Sequence, residues 1–446
     1  MTIRAALLAT VLILAPLGVR ATDLVVWWDK AYYPEEDQAL AELTQAFEAK
    51  TGLKVEFVRH DDWDVPKALE AAIAAGRPPD FAFDIQQPQG QRWAAEDHLV
   101  DLTDVVGGLA GLFDPDLLDL ATATDGRTGR RGLYALPVGR FTNHVHVWKD
   151  LLERAGFTLA DVPKEWEPFW AFWCDKVQPA VRKATGREDV WGVGLDMAAD
   201  ANNDTDSQFW QFVSAYEADY VTRDGRLVID EPEVWGRLVE ALTAYAAIWR
   251  KGCTPPDALD WDSSGNNKAF WAQRVMMTPN PTLSIQNALK ATRPEDYYKN
   301  AVTLDWPAGV DGQPLAIYAG LQEAVVFNAG GHVATAKGFV RFLVEDGWLA
   351  HWLDFAGDRL LPPMPALLDS PFWLDQSTPH RVRAAMQFLT RPRTYDYVAV
   401  SGEWRHARVR TEHVWSTAVH RVAADGLSPA QAVDEAIARV KQLLSE

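Results

Sequence analysis

Carboxylates and aromatic side chains at the ends of apolar runs are the first chemistry this sequence offers. Asp29 closes the run Leu24-Val25-Val26-Trp27-Trp28, and Asp84 with Gln86 closes the run that begins at Asp80. Two carboxylates across one cleft suit an acid paired with a base or nucleophile, as glycoside hydrolysis requires. They suit equally a passive site that accepts charge-assisted hydrogen bonds from ligand hydroxyls, or one that pairs with a polyamine or other organic cation. His144 and His146, two apart on an extended run, would share a strand face and offer a metal two imidazoles. The stretch Asp200-Ala201-Asn202-Asn203-Asp204-Thr205-Asp206 begins like a calcium loop, but it lacks Gly at the sixth position and has Gln211 where a bidentate Glu belongs. His406, His413 and His420 recur every seven residues; on one helix they would form a solvated stripe about 200° from Trp404, Thr411 and Ala418. The sequence carries no Gly-x-Ser-x-Gly elbow, P-loop or dinucleotide fingerprint, and no cofactor is expected.

These residues need elements to position them. Leu24 to Trp27 reads as a strand buried on both faces, as parallel strands are. Leu40, Leu43, Ala46 and Phe47 recur at helical spacing until Thr51-Gly52. Leu53, Val55 and Phe57 alternate as a second strand. Val65, Ala68, Leu69, Ala72 and Ile73 return to helical spacing, which Gly76-Arg77-Pro78-Pro79 breaks before a third strand, Asp80 to Ile85. Strands joined through helices run parallel with right-handed crossovers, so their C-terminal ends share one edge, where ligands of open α/β sheets bind. That edge would carry Trp28 and Asp29, then His60 to Trp63, then Asp84 and Gln86.

Ahead of this unit lies a removable leader. Arg4 gives a positive start, Ala5 to Leu17 an apolar run too short for a comfortable span, and Val19-Arg20-Ala21 a cleavage site before Thr22. No Cys follows that site, which excludes a lipid anchor, and the expectation is an exported, periplasmic protein. The net charge of −19 repels phosphate backbones and anionic lipid, so nucleic acid and membrane surfaces are poor partners. Cys174 and Cys253 fit either one disulfide or two buried thiols, since neither lies in a zinc or Cys-x-x-Cys spacing.

Along nearly the whole mature chain the sequence resembles the family 1 extracellular solute-binding proteins of ABC importers, whose best-known members bind maltose and other sugars. The resemblance rests on Phe47-Glu48-Ala49-Lys50-Thr51-Gly52 before a strand, Gly76-Arg77-Pro78-Pro79-Asp80, Leu99-Val100-Asp101-Leu102, and Leu133-Tyr134-Ala135-Leu136-Pro137-Val138. It continues in Val147 to Gly156, Val162-Pro163-Lys164-Glu165-Trp166-Glu167-Pro168-Phe169, the hairpin Asp224 to Asp230, Asp305-Trp306-Pro307-Ala308-Gly309, and Ala319-Gly320. Glu217-Ala218-Asp219 replaces the paired glycines of many relatives, and Met276-Met277-Thr278-Pro279-Asn280-Pro281 is unusually rich in proline.

The resemblance implies two α/β lobes, each a mainly parallel sheet flanked by helices, joined by hinge crossovers. Residues 1–21 are the leader; 22–138 and 276–335 are expected in lobe one, 139–275 and 336–446 in lobe two, with a hinge near Pro137-Val138-Gly139-Arg140. Ser428-Pro429-Ala430-Gln431 predicts a capped helix whose stripe is Val433, Ala436, Ile437, Val440 and Leu444. A neutral polar ligand in the cleft needs aromatic cover for its C–H surface and directional partners for its hydroxyls. Trp28, Trp210, Trp306 and Trp373 are the candidates for cover. Asp29, Asp84, Gln86, Arg140, Asn143, Gln208 and Asn280 are the candidates for direction, with Gly320 beside them; Arg140 alternatively pairs with a carboxylate across the hinge. The implied function is capture of a sugar or polyol by a monomer that hands it to a membrane permease, with no catalytic residue and no metal.

Overall fold

The apolar run after the leader forms β1 (Leu24–Asp29), which pairs in parallel with β2 (Val55–His60) on one side and β3 (Phe81–Gln86) on the other. The structure, a computed structural model, describes residues 22–29, 34–60, 65–86, 89–199, 204–222, 226–356, 359–394 and 404–445. The crossovers are α1 (Pro34–Thr51) and α2 (Val65–Ala74). Gly52 ends α1 at φ +73°, a left-handed conformation that costs a residue without Cβ little. Leu24, Val26 and Trp28 are buried against Leu40, Leu43 and Phe47 of α1, while Trp27 packs on the opposite face with Val65 and Leu69 of α2. Each fully buried side chain of this size contributes about 2 kcal/mol, which holds both crossovers on the sheet.

After the small hairpin β4 (Thr122–Thr124) and β5 (Arg131–Leu133), β6 (Leu136–Thr142) joins the first sheet on the far side of β11 (Ile317–Val326). β11 lies antiparallel to both β6 and β3, and β12 (Arg393–Thr394) caps its first two residues. The second sheet has the order β10-β7-β9-β8, built from β7 (His144–Trp148), β8 (Trp191–Val193), β9 (Val275–Asn280) and β10 (Ala301–Leu304). Asn143 alone separates β6 from β7, so the chain leaves the first sheet at that residue and returns through β11. The result is the two-lobed α/β architecture expected from the sequence, but the second sheet is not mainly parallel: β7 runs antiparallel to both β10 and β9, and only β8 and β9 pair in parallel.

The lobe boundaries differ from the expectation. β9, with Met276, pairs with β7 and β8 in the second sheet, because its fully buried residues Val275 to Met277 continue that core. The return to lobe one therefore follows β10 instead of beginning at Met276. The helices Val333–Glu345 and Trp348–Phe355 pack on the first sheet, with Phe339 against Phe47 and Phe81, and Trp352 against Trp28 and Phe83. The expectation had placed everything beyond 335 in lobe two. Pro137 to Arg140 lie inside β6 and are buried, so the crossing falls a few residues later than read.

Cys174 and Cys253 form a disulfide. The C-terminal helix Pro429–Ser445 starts at the expected capping box, in which Gln431 N donates to Ser428 Oγ and Ser428 N to Gln431 Oε1. Its residues Val433, Ala436, Ile437 and Val440 are buried. The histidine stripe is not one: Ala407–Thr411 and Val414–Ala423 are separate helices broken at His413, whose φ is +55°. His406 is buried and His420 Nδ1 contacts Met197 O at 2.9 Å, so neither belongs to a solvated face.

Candidate functional site

Parallel pairing of β1, β2 and β3 puts Asp29, His60 and Gln86, their last residues, on one edge of the first sheet, with Asp84 two positions earlier on β3. Asp61 to Trp63 lie outside the described residues. Trp28, although next to that edge, is only 2% exposed: it stacks on Phe83 at 3.8 Å and meets the edge of Trp352 at 5.4 Å. Both contacts are within lobe one, and they make Trp28 a core residue of that lobe here.

In lobe two, β8 and β9 run parallel, so the residues beyond their C-terminal ends gather in the same way. The helix Thr205–Ala215 lies over this edge. Its Gln208 donates through Nε2 to Pro279 O at 3.2 Å, and its Oε1 accepts from Asp196 N at 2.9 Å. Asn266 Nδ2 donates to the same Pro279 oxygen at 3.1 Å, to Asn280 Oδ1 at 3.1 Å and to Asp204 Oδ2 at 3.0 Å. Asn280 is further fixed by Thr282 and Ser284. The structure thus joins Gln208 and Asn280 in one network and adds Asp196, Asp204, Asn266 and Tyr245, whose hydroxyl donates to Asp196 O at 2.7 Å.

Burial holds the Asp204 carboxyl up at about 7 against the pull of Asn266, and holds Asp196 well above the usual carboxylate range, where the charges of Asp204 and Asp262 add to it. This acidic pair escaped the sequence reading. Asp196 lies three residues past the end of β8, which is only three residues long and gives little periodic signal. Asp204 entered only as part of a calcium loop, of which 200–203 lie outside the described residues. Among the described residues no group of three His, Cys, Asp or Glu is placed to hold a metal.

The same helix reaches the crossings. Asn143 donates through Nδ2 to Ser207 O at 2.7 Å, and Trp306 Nε1 donates to Asn143 O at 2.9 Å. Trp306 stacks at 6.2 Å on Trp166 and is buried. Trp210 stacks on Tyr318 of β11 at 6.2 Å, the planes 11° apart. Its ring therefore bridges helix and hinge strand.

Three expected residues lie elsewhere. Arg140 is fully buried; it pairs with Asp114 at 2.7 Å, donates to Pro362 O, and covers Phe388, so it is ion-paired, but with a carboxylate of its own lobe and not across the hinge. Gly320 is a packing position on β11, since a Cβ there would come within 1.9 Å of the Phe141 ring. Trp373 belongs to a separate cluster with Leu283, Leu361, Leu368 and Phe388. His144 and His146 are buried and engaged by Thr142, Gln387, Thr303 and Gln286, which is the structural alternative to a metal pair. Burial lowers His144 to about 4 and His146 well below its ordinary value.

The two α/β lobes are linked through Asn143 and β11, and each sheet carries polar residues at or beyond the C-terminal ends of its parallel strands. The chain belongs to the bacterial extracellular solute-binding proteins, a family that matches residues 42–380. Solved structures of the same fold include an ABC transporter solute-binding protein from Thermotoga lettingae bound with α-D-tagatose, 18% identical over 95% of this chain and 100% of the other, with a TM-score of 0.74. A sugar transporter from Arthrobacter chlorophenolicus with bound laminaribiose is 14% identical over 94% and 98% of the two chains, with a TM-score of 0.73. A solute-binding protein from Agrobacterium radiobacter in complex with ribitol is 18% identical over 94% and 98%, with a TM-score of 0.67. No curated protein matches the sequence significantly.

Proposed function

We propose that this protein is the exported solute-binding component of an ABC importer, and that it captures a carbohydrate or polyol between its lobes for delivery to a membrane permease. The observation that carries the reading is family membership over most of the chain, joined to a fold whose solved examples hold tagatose, laminaribiose and ribitol. Family members are binding proteins, and the reading assigns this chain no catalytic step. The polar edge of lobe two supports it: carboxyls and amides already oriented by one another present acceptors and donors without further ordering cost.

Contacts made by both lobes exist only when the lobes close, so a ligand shifts the open and closed populations by its differential affinity for them. The closed, loaded monomer would dock on the permease. A thermal-shift screen of the chain from Thr22 onward, against sugars and polyols, tests this. A ligand at 100 times its Kd is expected to add about 2.7 kcal/mol of stability. A response together with turnover of the ligand would replace capture by hydrolysis.

A further inference from the structure

Among the described residues the polar edge of lobe two has an excess of acceptors and no cation paired with them. Asp196 is 0% exposed; among the described residues its Oδ1 has no hydrogen-bond partner, and its Oδ2 has only Gln208 Nε2 at 3.5 Å. Asp204, half-buried, accepts from Asn266. Gln208 and Asn266 both donate to Pro279 O, so the two carboxyls flank a single carbonyl oxygen. Asn143 Nδ2 is fixed to Ser207 O in the first turn of the same helix, and among the described residues its Oδ1 is likewise buried without a partner. Among the described residues neither carboxyl has a Lys, Arg or His partner; Lys268 is paired with Asp262, and Arg410 with Asp206.

An unpaired carboxylate in a dry site costs several kcal/mol, and two side by side do not both ionise. The unliganded pair therefore keeps a proton at neutral pH, in line with the raised values of both groups. A metal ion would need more than this, because calcium takes 6 to 8 oxygen ligands and a third carboxylate, imidazole or thiolate is missing among the described residues. An ammonium group needs only acceptors, and Asp196 Oδ1 and the Asp204 carboxyl supply them.

We propose that Asp196 and Asp204 form a subsite for a protonated amino group carried by a hydroxylated ligand, with Asp204 at the entrance and Asp196 behind it. The inference rests on the sugar or polyol reading and narrows it to amino sugars or amino polyols. The ammonium displaces the proton held by the pair, donates N–H groups to Asp196 Oδ1 and Asp204, and the displaced proton leaves to solvent. The chain's net charge of −19 favours the approach of such a cation.

Calorimetry on the chain from Thr22 onward tests this with matched probes: D-glucosamine against D-glucose, glucamine against sorbitol, and the chitosan dimer against cellobiose. Titrations at pH 7 in phosphate and in HEPES count protons. The expected result is an aminated member that binds at least about tenfold tighter than its neutral partner, with release of up to one proton. Asp196→Asn and Asp204→Asn, each checked for folding by circular dichroism, are expected to lose that preference. Equal binding of neutral partners, or a preference that survives both substitutions, overturns the subsite and leaves sugar capture standing. Stabilisation by calcium or magnesium chloride that both substitutions abolish overturns it in favour of a metal. No response to either member of any pair counts against the subsite and the sugar reading together.

Discussion

Gln211 grips the main chain on both sides of Ile317: its Oε1 accepts from Tyr318 N at 3.1 Å and its Nε2 donates to Ala316 O at 2.8 Å. One amide so replaces a missing strand partner at the start of β11, where the chain re-enters lobe one. The residues around it on the same helix make contacts with the same stretch, Trp210 by stacking on Tyr318 and Ser214 by donating to Ala316 O.

Gln211→Leu keeps the volume and removes both bonds, leaving Tyr318 N unpaired in a buried place. The expected cost is about 1–3 kcal/mol, read from the urea midpoint. Because the lost bonds cross between lobes, the substitution is also expected to change the distance distribution between spin labels on the two lobes. An unchanged distribution would make Gln211 a local support only.

Much of this arrangement was legible in the sequence, and the reasons for the remainder are physical. The first three strands and two helices were readable because their apolar periods are long and end at Gly52 and Gly76. The change of lobe was misplaced because Pro137 and Gly139 look like breakers, yet they sit inside β6, with Gly139 close against Leu360. The placement of the helices after 332 depends on aromatic contacts between Phe339, Phe47 and Phe81, which no local pattern reports. Site residues fared unevenly. Gln208 and Asn280 do meet, but through Asn266 and Pro279, and Asp196 was invisible because the strand ahead of it is too short to show a period.

The disulfide closes a loop of 79 residues. Its reduction frees that loop in the unfolded chain, and the expected loss is about 2–4 kcal/mol. Paired melts with and without a phosphine reductant measure it; Cys174→Ala with Cys253→Ala is expected to match the reduced protein. Equal melting temperatures would show that the unfolded chain gains nothing from the cut.

Two buried histidines set an acid limit. His144 and His380 are lowered from 6.5 to about 4, chiefly by burial. The unfolded chain then binds more protons between those values, so their contribution is complete above pH 6.5 and is lost as pH falls toward 4, by roughly 3 kcal/mol for each. His380→Gln is expected to flatten this stretch of the stability curve, measured by chemical denaturation from pH 7 to 4. A variant with the wild-type slope would rule His380 out as a source.

Glu323 works with the opposite sign. It is buried on β11, accepts from Gly90 N at 2.8 Å, and burial raises its carboxyl from 4.5 to about 8. A group raised in the folded state gives its full contribution below pH 4.5 and loses it as pH rises through 8. Glu323→Gln is expected to be more stable than wild type at pH 9, by roughly 4 kcal/mol, and to differ little at pH 5. Denaturation at the two pH values decides; equal stability at pH 9 would mean that Glu323 ionises without cost.

The central claim is capture of a neutral sugar or polyol, or an aminated form of one, by closure of two lobes. Small-angle X-ray scattering of the chain from Thr22 onward, titrated with the compound that gives the largest thermal shift, tests it most directly. The expected result is a saturable fall in radius of gyration with one ligand per chain, at the concentration where the melting temperature rises. A ligand that stabilises the protein while the scattering curve stays fixed, or a panel of sugars and polyols that changes neither, would contradict it.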